Sequence, residues 1–113
     1  MKKVNIRDKA QREFLMLLEV EKNNYYVEKL RSIIQKQITE NQMEILRAIL
    51  LEGKTMKMLA EEKNVQKSVV YVTFDIAQKK LDDVVTINAS VILNVIKDVN
   101  GDNLCELMVY SLN

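Results

Sequence analysis

The carboxylates that stand together in this chain, Glu61-Glu62 and Asp82-Asp83, are immediate neighbours. On a helix, neighbours point about 100° apart, so neither pair makes a facing acid–base couple, and solvated faces account for both. The sequence has no His, which removes a His-based triad, a His general base and a Cys/His zinc site. Its single Cys, Cys105, lies between Leu104 and Glu106 in an apolar stretch. It reads as a packed thiol, forms no intramolecular disulfide and suits a reducing compartment. Gly53-Lys54-Thr55 lacks the upstream glycine of a phosphate-binding loop. No nucleophile has an evident base. No enzyme activity, metal or cofactor is expected.

The chemistry that remains is hydrogen bonding and charge. Gln66, Lys67, Ser68 and Tyr71, with Thr73 and Asp75 beyond them, lie off the apolar positions of one helical stretch. Gln can pair with adenine N6 and N7, Lys can donate to guanine O6 and N7, and Val69 or Val72 can touch a thymine methyl. Lys54, Lys57 and Lys80 could reach phosphates and set register without reading sequence. The plain alternative for each lysine is a solvated surface charge. Tyr71 could equally pack against the C-terminal segment.

These residues need elements to hold them. From Asp8 to Gln37, Phe14, Leu15, Leu17, Leu18, Tyr25, Tyr26, Leu30, Ile33 and Ile34 recur at helical steps, and Asn23-Asn24, a poor helix pair, can divide the stretch. Phe14, Tyr25 and Tyr26 read as core. Thr39-Glu40-Asn41-Gln42 has the capping-box form. Ile45, Leu46, Ile49 and Leu50 follow on one face, and Gly53 sits where a helix ends in a left-handed residue. Thr55 can cap a short helix from Met56 to Lys63, and Asn64 can take a left-handed turn. A third helix runs from Lys67 to about Leu81. On it Val70, Phe74, Ala77 and Leu81 follow at steps of four, three and four, facing Leu59. Ala60 must be small where two helices cross, and Val65 is expected to plug the corner.

After Asp82-Asp83 the texture changes. Val84, Val85, Thr86, Ile87, Val91, Ile92, Val95, Ile96 and Val99 are nearly all β-branched, which favours strands. Asn100-Gly101 is a strong hairpin signal. The expectation is a hairpin of 86–98 with 103–111; the competing reading is a helix from Val84 to Lys97. The fold expected is therefore mainly α with a C-terminal β-hairpin. It comprises an N-terminal helical segment over 1–38, a helix-turn-helix over 39–83, and a hairpin over 84–113 that could serve for dimerisation.

Ile38 to Leu81 resembles the fourth conserved region of bacterial sigma factors and the related LuxR-type helix-turn-helix domains. The matching features are Thr39 and Gln42, Leu46, Gly53, Leu59-Ala60, Val65, Val70, Ala77 and Lys80-Leu81. The resemblance implies that the third helix reads promoter DNA and, as in sigma factors, that the domain touches RNA polymerase. Asn64 stands where the family commonly has Gly, Gln66 where it has Ser or Thr, and Lys63 where it has an apolar residue. Residues 64–83 contain Lys67, Lys79 and Lys80 but no Arg.

The chain of 113 residues has a net charge of +1, unevenly spread: residues 1–38 are net +4, residues 39–83 net −1 and residues 84–113 net −2. Near-neutrality alone gives no support to DNA binding. No apolar run is long enough to span a bilayer or to follow the N-terminal charges as a signal peptide would, so a cytoplasmic protein is expected. The reading is a sequence-specific transcription regulator that binds double-stranded DNA through the helix 67–81 as a homodimer. The alternative is a sigma-like interaction protein that binds RNA polymerase or another regulator without touching DNA.

Overall fold

The computed structural model describes residues 6–21, 24–90 and 92–93. Five helices follow one another: α1 (Ile6–Val20), α2 (Tyr25–Gln37), α3 (Glu40–Leu50), α4 (Met56–Lys63) and α5 (Lys67–Ile87). Each boundary has a local cause. Asn24 caps α2, its Oδ1 accepting from Tyr26 N at 2.9 Å and Val27 N at 3.3 Å. Thr39 and Gln42 close a reciprocal capping box on α3, with both bonds at 3.1 Å. Gly53 adopts φ +71° after α3, where an L side chain would be strained. Thr55 Oγ1 then accepts from Met58 N at 3.1 Å to start α4.

The turn between α4 and α5 is built on Asn64, at φ 55° and ψ 48°. Its N–H donates to Glu61 O at 3.3 Å, and Val65 N–H donates to Ala60 O at 3.0 Å. These paired bonds are those of a Schellman ending, with Asn in the left-handed position usually given to Gly. Three residues, Asn64 to Gln66, thus redirect the chain into the longest helix.

α5 packs against α3, α4 and α2, and α1 against α3. One core joins them: Phe14 from α1, Val27 and Leu30 from α2, Ile45 and Leu46 from α3, Leu59 from α4, and Val70 and Leu81 from α5 are all buried. Phe14, Leu15, Leu17 and Leu18 are covered within the chain. Tyr25, expected in the core, is exposed instead; its ring meets Tyr26 edge-on at 5.5 Å, with Lys29 Nζ 5.1 Å from its centroid.

The expected C-terminal hairpin is overturned where it can be checked. Residues 84–87 complete α5, and 89–90 and 92–93 are again helical; among the described residues there is no strand. Val84, Val85 and Ile92 are buried, so their β-branched preference yields to burial on a helix face. Asn88 closes α5 by donating both its backbone N–H, at 3.1 Å, and its Nδ2, at 2.8 Å, to Val84 O. Asn100-Gly101, the arm 103–111 and Cys105 lie outside the described residues. Among the described residues, no helix is long and apolar enough to cross a membrane.

Candidate nucleic-acid interface

α5 is held from behind and bare in front. Val70, Phe74, Ala77 and Leu81 are buried, fixing the helix in rotation. Gln66, Lys67 and Ser68 are exposed at its start, and Tyr71 is 59% exposed one turn on. Gln66 makes no side-chain cap to the helix, which leaves its amide at the surface. Val69 N–H donates to Gln66 O at 3.0 Å, while the N–H groups of Lys67 and Ser68 keep their donor capacity toward solvent or an anion. Lys67 and, on α4, Lys57 are exposed and form no ion pair among the described residues.

The other lysines of the expected site are engaged. Lys54 Nζ lies 3.3 Å from Glu62 Oε2 and 3.7 Å from Glu52 Oε1. The hydrogen bond and charge of Glu62, with Glu52 adding, raise its pKa above the ordinary 10.5. A raised folded-state pKa contributes stability that is fully present below the ordinary value and is lost as pH climbs past the folded one. Lys54 therefore stays charged and paired through the whole neutral range. Lys80 Nζ donates to Gln42 Oε1 at 3.1 Å, so it braces the capping box of α3. Of the residues expected to make contacts, then, Gln66, Lys67, Ser68 and Tyr71 share one exposed end of α5, Lys57 is open on α4, and Lys54 and Lys80 are tied to the protein itself.

Two features were missed or misplaced by sequence reasoning. Val65, expected to plug the corner, is 40% exposed in the turn. It lines a shallow groove with Asn41, Ile45, Lys63, Val69 and Thr73. The other is a closed polar network behind α5. Gln11 and Gln78 are 1% and 6% exposed. Gln78 Nε2 donates to Gln11 Oε1 at 3.0 Å and Asp8 Oδ1 at 2.7 Å. Gln11 Nε2 donates to Asp82 Oδ1 at 2.6 Å and Gln78 O at 3.2 Å. Arg7 completes the set at 2.8 Å from Asp82 Oδ2. The network fixes the register of α1 against the helix that carries the site. Its only signal in the sequence is a Gln at a position of each helix where the apolar stripe continues.

A larger open cleft lies between α1, α2 and α3, lined among others by Leu15, Leu18, Ile34, Met43 and the ion-paired Glu19 and Arg47. Its hydroxyl, that of Thr39, is taken up as the cap of α3. Among the described residues there is no group of His, Cys, Asp and Glu able to hold a metal ion. Compared with protein-family models, curated proteins and solved structures, the chain matches none.

Proposed function

We propose that this protein is a sequence-specific DNA-binding transcription regulator of the cytoplasm, reading the major groove of double-stranded DNA with the exposed start of α5. The observation that carries the reading is the division of that one helix. Its apolar steps of four, three and four are buried against α3 and α4, while Gln66, Lys67, Ser68 and Tyr71 stand together in solvent. A helix presented end-first from a short turn, with donors in its first turns, suits major-groove entry. Lys57 supplies a phosphate contact from the preceding helix. Nothing in this scheme requires a reaction or a cofactor.

The test is selection from random duplexes followed by titration of Lys67→Ala. The variant is expected to lose about 1–3 kcal/mol on the selected sequence and far less on random duplex. Equal losses on both would remove Lys67 as a base reader.

A second reading is supported by one observation. Lys54, Lys63 and Lys79 are ion-paired, to Glu62, Glu44 and Asp75, which leaves few cations for phosphates. On that reading the chain is a sigma-like partner of RNA polymerase or another regulator, without DNA contact. Retention on heparin and on random duplex at low salt separates the two.

A further inference from the structure

Past its first turn, α5 has few groups left with which to hydrogen-bond a base. Thr73 Oγ1 donates to Val69 O at 2.8 Å, and Asp75 is held by Lys79 at 3.0 Å. Between Val69 and Ile76 that leaves the Tyr71 hydroxyl as the outward, unengaged polar group. What faces outward beside it is apolar: Val69 at 49% exposed, Val72 at 52% and Ile76 at 42%, following Val65 in the turn. Their steps are four, three and four, the same as in the buried set, displaced by five residues and hence by about 140° around the helix. The turn and helix thus carry two apolar stripes, one buried in the core and one left about half exposed.

A major groove displays donors and acceptors on every base pair, but just one apolar group, the C5 methyl of thymine. Gln66 at the head of the same helix matches adenine, the other member of that pair. Guanine finds only Lys67, since residues 64–83 hold no Arg. Valine suits a methyl contact, because its β-branched side chain is already restricted at χ1 and loses little freedom on docking. We infer that α5 selects A·T base pairs through thymine methyl groups, with Val69 and Val72 as the methyl-contacting residues. This specificity rests on the DNA-reading proposal above and names what that site prefers.

The experiment replaces thymidine by deoxyuridine, one position at a time, in the duplex recovered from random selection. The exchange removes a methyl group and leaves every hydrogen-bonding group in place. At each contacted position affinity is expected to fall about fourfold, the worth of one buried methyl. Val69→Ala and Val72→Ala should each bring the thymidine-to-deoxyuridine ratio at its own position to about one, whereas Lys67→Ala should leave those ratios standing. Both valines are exposed and alanine is the better helix former; circular dichroism verifies that the variants fold. Equal affinity for deoxyuridine and thymidine at every position overturns the inference while leaving the DNA-reading proposal intact. Absence of affinity for any duplex overturns both and assigns the stripe to a protein partner.

Discussion

At the scale of single residues, the structure separates side chains that look alike in the sequence. Lys54 and Lys67 have the same charge, but Lys54 is shared between Glu62 and Glu52 while Lys67 is unpaired among the described residues. Lys54→Ala should therefore weaken duplex binding far less than Lys67→Ala, because the Lys54 charge is already compensated by two carboxylates; gel-shift titration of the two variants checks the contrast. That difference could not be read from the sequence, because it depends on where Glu62 falls after the turn at Gly53. Gln11 and Gln78 are a sharper case. Their partners are 67 residues apart in the chain, and nothing in a one-dimensional pattern joins them. Replacing Gln78 by Leu strands the buried Oε1 of Gln11, whose Nε2 keeps Asp82 Oδ1 and the backbone carbonyl of residue 78, and should cost about 1–3 kcal/mol. Replacing both by Leu removes the demand from each side and should recover a substantial part of that loss. Chemical denaturation of the two single variants and the double variant measures the coupling; strict additivity would mean the network does not act as a unit.

At the scale of elements, the legible parts were those fixed by neighbours in the chain. Thr39 with Gln42, Thr55, Gly53 and Asn64 bound their helices through bonds spanning a few residues. The end of α5 was misread because two preferences competed there. The β-propensity scale spans about 1 kcal/mol, whereas burying a valine is worth about 1.5–3 kcal/mol, and Val84 and Val85 are both buried on the helix. Burial wins, and the stretch stays helical. The Asn64 turn invites a direct test, since it aims α5. Asn64→Ala places a side chain without local hydrogen bonding at φ 55° and should destabilise by about 1 kcal/mol. Asn64→Gly should be neutral or stabilising, as Gly carries no Cβ penalty at this position. Thermal melting of the two variants gives the order; Ala equal to Gly would mean the left-handed conformation is not what limits the turn.

At the scale of the whole molecule, charge is placed so that attraction to a polyanion is weak. The three-helix unit over 39–83 is net −1, and the positive excess lies in residues 1–38. Within that unit Lys54, Lys63 and Lys79 face carboxylates and Lys80 faces Gln42, leaving Lys57 and Lys67 for the nucleic acid. Counterion release then sets a shallow salt dependence: with about two phosphate or groove contacts by lysine, the slope of log K against log salt should be about −2 per bound chain. A protein with six or more such contacts would show a slope steeper than about −5. Shape and base contacts must supply most of the selectivity, so random duplex should be held poorly at physiological salt. Glu62→Gln provides the converse measurement. It removes the main partner of Lys54 and raises the net charge, so that affinity for all duplexes should increase and the slope should steepen by about one unit. Selectivity between preferred and random sequence should stay constant, because a phosphate contact carries no sequence information. Filter binding at several salt concentrations, on both duplexes, reads slope and selectivity together. An unchanged slope in Glu62→Gln would show that Lys54 lies out of reach of the backbone, and a steep slope in the parent protein would show that ion pairs drawn between Lys54, Lys63 or Lys79 and their carboxylates open on DNA.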